Sequence, residues 1–185
     1  MRLRATFQLA VVTVLAFLLG AAAAWAQSQA ATESALKAAF IFKFASFVEW
    51  PAGTFTRVDQ PLVMAVSGDA AVAADLEQQL VGRSIDGHPA IVKRIVDNAV
   101  PVGAHIVFFG ARRDARLREA IEATLGPVLI VTEQANAHAW GSILNFSMEG
   151  ARVRFSASPA AAEARGLRLS ARLLSVAHSI EGRSK

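Results

Sequence analysis

The side chains in this 185-residue chain with the chemistry to hold a ligand or a partner are a Ser-Gly-Asp turn, four histidines and a group of arginines. Ser67-Gly68-Asp69 follows an apolar run at 61–66 and precedes a helical pattern. In doubly wound sheets, ligands sit at that carboxyl end of a strand. A lone glycine between strand and helix is more often only a turn, so the structural reading outweighs ligand contact here. No GxGxxG, GxxxxGK[ST] or GxSxG occurs, which removes the main support for dinucleotide, nucleotide-hydrolysing and hydrolase-elbow chemistry. His88, His105, His138 and His178 lack metal-ligand spacing. His105 lies in an apolar run and reads as a satisfied core or edge residue. His138 and Glu133 could meet across one loop, but nothing supplies a third ligand. The chain has no cysteine, so disulfides, thiolate zinc sites and cysteine nucleophiles are excluded. The expectation is no catalytic residue, no metal and no cofactor.

Arg152, Arg154, Arg168 and Arg172 fall in the last third. The first two share a face on a strand, and the last two share a face if their stretch is helical. Guanidinium groups so placed suit an anion or an acidic partner. They also suit a solvated basic edge that deters strand-to-strand aggregation. A second candidate is the run AAFIFKFASFVEWP, which holds four of the eleven phenylalanines. On a helix, Phe40, Phe44 and Phe47 share a side and Phe42 points away. Glu49-Trp50-Pro51 closes that segment, and Trp50 reads either as a hydrophobic plug or as an interface anchor.

The elements that must position these residues follow from pattern. Arg2 and Arg4, an apolar stretch at 7–20 and Ala24-Trp25-Ala26 have the layout of a cleavable secretory signal peptide over residues 1–26. Residues 27–32 then form a flexible N-terminus, 33–180 a single domain and 181–185 a tail. Arg2 and Arg4 are two of the 19 basic residues, so the rest is nearly balanced against 15 acids, and a nucleic-acid partner is not supported. Thr32 or Ser34 caps a first helix running to about Val48, where Pro51 stops it. Asp69 caps a helix over 70–80 that Gly82 ends. Asp86-Gly87 is a turn, and strands are read at 61–66, 90–96, 104–109 and 128–131. Asp114 caps a helix to Leu125. Residues 142–147 and 151–155 form a hairpin, Ser158-Pro159 starts a short helix, and 170–180 makes a final helix with Leu173, Leu174 and Ala177 inward. Alternating apolar strands and helices imply an α/β three-layer sandwich. Its sheet is largely parallel, with an antiparallel hairpin at one side and helices on both faces.

With the leader, AAFIFKFASFVEWP resembles the opening of the YfiR/HmsC-type periplasmic regulators. The likeness continues through LVMAVSGD, VGRSIDGHPAIVKRI, AHIVFFGA, PVLIVTE, GSILNFSMEGARVRF and GLRLSARLLSVA, covering about residues 33–180. The resemblance implies a periplasmic, non-enzymatic homodimer that represses an inner-membrane diguanylate cyclase or another membrane sensor. An OmpA-like outer-membrane lipoprotein relieves the repression, and the output is cyclic di-GMP and biofilm formation. Family members carry disulfides. Here Ala104 stands where they often have cysteine, so redox control is ruled out. Phe42, Glu49 and Trp50 are the expected partner-binding patch, with Arg154, Arg168 and Arg172 as a second, charged contact. The alternative is a periplasmic small-ligand module signalling to a sensor histidine kinase through Ser67, Gly68 and Asp69.

Overall fold

A computed structural model describes residues 33–96, 99 and 101–182. The readings placed on residues 1–26 and 27–32, and on most of the tail, lie outside them. The described residues from Ser34 onward form one compact unit. No helix among the described residues is long and apolar enough to cross a membrane.

Helix α1 occupies residues 33–45. It stops short of the expected Val48 because the chain tightens into i→i−3 bonds, Ser46 N to Lys43 O and Phe47 N to Phe44 O. Val48–Glu49 (β1) then runs extended and pairs antiparallel with Arg168–Leu169 (β9), Glu49 opposite Arg168. The helix is therefore ended by a distant strand as well as by Pro51.

The main sheet is built from β2 (Leu62–Ser67), β3 (Ser84–Ile85), β4 (His88–Ile95), β5 (Ile106–Phe109), β6 (Leu129–Thr132), β7 (Leu144–Glu149), β8 (Arg152–Ala157) and β10 (Ser179–Ile180). Its order is β10-β8-β7-β6-β5-β2-β4-β3. The β7–β8 hairpin and the short β3–β4 pair are antiparallel, and the other neighbours run parallel. The expected α/β sandwich with a largely parallel sheet and a lateral hairpin is the observed one.

Strand alternation explains why β2, β5 and β6 read as continuous apolar runs. Met64 and Val66 of β2 and Phe108 of β5 join one core with Ile41 and Phe44 of α1 and Leu76 of α2 (Ala70–Leu80). Val63, Ala65, Val107 and Ile130 join a second core with Leu117 and Ile121 of α3 (Asp114–Ala123) on the other face. Asp69 caps α2 as expected, its Oδ1 accepting from Val72 N at 2.9 Å. Asp114 does not cap α3. It is the first helical residue, Arg113 holds the cap position without a side-chain bond, and the helix ends at Ala123 rather than Leu125. There the Arg165 guanidinium donates to the Ile121 and Thr124 carbonyls, terminal acceptors that would otherwise continue the helix.

Ser158 caps α4 (Pro159–Glu163), with proline in the first turn. The expected last helix over 170–180 is shorter. Ser170 caps α5 (Ala171–Val176) through Leu173 N, Leu173 is buried, and Leu174 and Ala177 pack partly against the core. Ser179–Ile180 leaves the helix to pair with Ser156 and Ala157 of β8 as β10.

The chain passes from β2 through α2 to β4 on one side of β2, then returns to place β5 on the other side. The reversal between β2 and β5 is the topological switch point, where open α/β sheets form a crevice at the strands' carboxyl ends.

Candidate functional site

Ser67-Gly68-Asp69 lies at that switch point, facing the turn after β5. Gly110 N donates to Ser67 O at 2.8 Å, and a Cβ on Gly110 would stand 3.0 Å from backbone atoms of Gly68. The two turns therefore touch through glycines. Across them lies Arg112. Its Nη2 donates to Ser67 O at 2.9 Å and to Ser67 Oγ at 3.1 Å, and its Nε to Gly110 O at 3.3 Å. Its guanidinium also sits 5.0 Å from the centre of the Phe109 ring. Ser67 and Arg112 border a crevice of about 250 Å³ with Phe109, Arg116 and Glu119. Asp69 is committed to its helix cap. Sequence reading selected Ser67, Gly68 and Asp69 but missed Arg112. The available signal was symmetry: Gly110 follows β5 directly, as Gly68 follows β2.

Gly68 has φ +85°, and a Cβ there would meet Arg112 Nη2 at 2.8 Å. Gly68→Ala is therefore expected to lower stability by about 1–3 kcal/mol, read from the urea midpoint. An unchanged midpoint would mean that Arg112 does not hold this corner.

Beside the switch point, Lys37 Nζ of α1 meets Glu133 Oε2 at 2.5 Å. Glu133 Oε1 accepts from Ala111 N at 2.7 Å. The contemplated meeting of Glu133 with His138 does not occur. His138 Nδ1 instead lies 2.8 Å from Ser142 O, and its Nε2 2.7 Å from Ser156 Oγ. Among the described residues no group of three or more histidine, aspartate or glutamate side chains is arranged to hold a metal.

The phenylalanine segment divides. Phe44 is 1% exposed and takes in the Phe155 ring edge-on at 4.9 Å. Phe40 stacks on Phe44 at 5.9 Å. Phe42 is half-buried under the Arg83 guanidinium, 5.3 Å from its ring centre. Phe47 lies outside the helix, with Arg172 at 5.9 Å and with its carbonyl accepting from Ser170 N. Glu49 and Arg168 face each other at 3.9 Å, with side chains 70% and 82% exposed.

Arg168 and Arg172 do not share a helical face, because Arg168 belongs to β9 and only Arg172 to a helix. Both nevertheless reach the β1 segment. Arg154 is engaged elsewhere, bonding Glu149 across the β7–β8 hairpin at 3.1 Å. The expected residues thus separate into Glu49 with Arg168, Arg172 beside Phe47, Trp50 against Phe55, Phe42 beneath Arg83, and Arg154 on the hairpin.

Trp50 is half-buried and packs on the first core. Its Nε1 is buried without an acceptor among the described residues. Its ring meets Phe55 edge-on at 6.1 Å. Phe55 in turn stacks on His88 (4.1 Å, 20°) and on His105 (4.6 Å, 11°). His105 is 7% exposed, and its Nδ1 accepts from Val63 N at 3.0 Å, so the expected satisfied histidine is observed. His88 Nδ1 lies 2.8 Å from Gln60 O. Burial first, then the charges of His88 and Lys93, hold the His105 pKa below the usual imidazole value. No local pattern announces this stack, because its three rings come from a loop and from segments on either side of β2. His105 also lines a groove of about 590 Å³ with Pro51, Thr54, Val102 and Leu125.

Residues 34–178 match the family model described as YfiR/HmsC-like. No curated protein matches the chain.

Proposed function

The chain belongs to the YfiR/HmsC-like family, and on that premise we propose that it is a periplasmic regulatory protein acting by contact with a signalling protein of the inner membrane. The partner is a diguanylate cyclase or a similar membrane sensor, which this protein represses, lowering cyclic di-GMP and biofilm formation. Release is assigned to an OmpA-like outer-membrane lipoprotein, and the working form to a homodimer. The observation that carries this reading is the family match over 34–178, nearly the whole described domain. The surface at β1 fits it: the Phe47 ring beside the Arg172 guanidinium, close in sequence to the exposed Glu49–Arg168 pair, supplies residue types that contribute strongly at interfaces. Repression then follows by linkage, since a protein that binds one conformation of a sensor more tightly shifts the sensor toward it.

The first test is deletion of the gene, with cyclic di-GMP measured in the cells; an unchanged level would remove the cyclase reading. The patch is tested by complementation with Glu49→Arg. The Glu49–Arg168 pair is exposed, so the melting temperature should stay within about 2 °C of the parent's. Cyclic di-GMP should nevertheless remain raised while the variant accumulates normally. Full restoration of repression by the variant would take Glu49 out of the contact.

One observation favours the alternative, a module that takes a small ligand and signals to a sensor histidine kinase. The crevice at the switch point is lined by Ser67, Arg112 and Arg116, two guanidinium groups against the one carboxylate of Glu119, a balance that favours an anion. A rise in melting temperature with a small anionic metabolite, lost in Ser67→Ala, would support that reading over the first.

A further inference from the structure

The two histidines on either side of Phe55 are used neither by the crevice nor by the arginine patch, and their arrangement depends on protonation. His105 Nδ1 receives the Val63 backbone N–H, so that nitrogen carries a lone pair and the ring is neutral with its proton on Nε2. A second proton can enter only at Nδ1. It would set two donors against each other and leave the buried Val63 N–H without an acceptor. On the other side of Phe55, His88 is tied to Gln60 O, at the far end of the same loop. Residues 51–61, with no strand or helix of their own, are thus pinned by one stacked ring between two imidazoles.

We propose that the His88–Phe55–His105 stack is a pH-operated clasp: with its imidazole neutral, His105 holds the 51–61 loop and Trp50 against the sheet, and protonation at His105 releases them.

The charged groups around the clasp all act in the same direction or stand apart. From β4, His88 and Lys93 both oppose a charge on His105. Within the loop, Arg57 and Asp59 pair with each other at 3.1 Å and are largely exposed. A cation over Phe55 gains attraction from its π face, yet burial, His88 and Lys93 all oppose a charge on His105. His105 borders solvent at the groove that it lines with Pro51 and Thr54. Trp50 Nε1 already lacks an acceptor among the described residues while the clasp is shut, so opening the loop gives it one in water or on a partner. The linkage has a definite sign. His105 binds its proton less readily folded than unfolded, so the clasp is fully closed above the ordinary histidine value of about 6.5. It weakens as pH falls from there toward the depressed folded value, by up to about tenfold in its closing equilibrium per pH unit.

The consequence for partner contact rests on the function proposed above; the clasp itself does not. It is tested on the purified protein by amide hydrogen exchange of residues 52–60, corrected for intrinsic rates, from about pH 8 to about pH 5. Protection should fall at least tenfold, with the midpoint at which NMR shows the His105 imidazole to titrate. His105→Asn keeps an acceptor for Val63 N–H but cannot gain a proton, and its protection should vary less than about twofold over the range. Flat protection in the parent protein would overturn the proposal, as would an undiminished pH response in folded His105→Asn. If that variant does not fold, separate midpoints for loop opening and His105 titration in the parent protein would do so. Neither readout involves a partner, so the clasp can fail while the regulatory reading stands.

Discussion

Phe44→Ala is expected to cost about 3–5 kcal/mol of folding stability, measured from urea unfolding. Phe44 is 1% exposed and lies among Phe40 (5.9 Å), Phe146 (5.8 Å) and Phe155 (4.9 Å, edge-on). Phe146 and Phe155 are paired directly across the β7–β8 hairpin. One ring therefore seats α1 on the hairpin side of the sheet, and its removal leaves a cavity that strands fixed by their ladders cannot collapse to fill. Single domains are stable by about 5–15 kcal/mol, so this one truncation takes a large part of the total. Phe42→Ala is the internal control. Its ring is half-buried beneath a surface guanidinium, and its loss should cost about 1 kcal/mol or less. Equal costs at the two positions would contradict the division of this segment into core and surface.

That division marks how far local pattern reaches. A period of 3.6 separates Phe42 from Phe40 and Phe44 correctly, because all three lie within α1. It misplaces Phe47, because helix ending depends on β1 pairing with β9, far along the chain. The same reason explains the last helix. Local propensity allows Ser170 to Ile180 to be helical, but Ser179 and Ile180 meet the open edge of β8 and become a strand. Strands β2, β5 and β6 were legible because burial on both faces demands unbroken apolar runs, and Asp69 because its cap is a bond three residues long. At the candidate sites the balance reverses. Ser67-Gly68-Asp69 could be located from a strand-to-helix turn, whereas Arg112 enters it from the next βα unit. His88, Phe55 and His105 meet only because β2 and its flanking strands bring them together. Groups whose chemistry comes from long-range assembly leave no spacing to read.

Breaking the Lys37–Glu133 pair is expected to have an effect comparable to that of Phe44→Ala, by a different cause. The two side chains are 9% and 13% exposed and meet at 2.5 Å. Lys37→Met takes the ammonium away from the Glu133 carboxylate, and Glu133→Gln removes the charge that Lys37 meets at 2.5 Å. Each single change should cost about 3–5 kcal/mol, because breaking a buried pair from one side weakens the compensation of the charge that stays. Glu133→Gln keeps an acceptor for Ala111 N, so its cost reports charge rather than the loss of that bond. The double variant should recover much of the loss, giving a coupling of about 2 kcal/mol or more in a double-mutant cycle. Additive costs would show that the two residues act separately. The pair matters beyond stability because of what it joins. Lys37 stands one turn before the buried Ile41, on the helix that carries Phe42 and leads into Glu49 and Trp50. Glu133 follows β6 and holds the turn after β5 through Ala111. The ion pair therefore joins the aromatic helix to the carboxyl edge of the sheet. A variant that weakens the pair should loosen amide protection in α1 before the sheet opens, and simultaneous loss of both would argue against that connection.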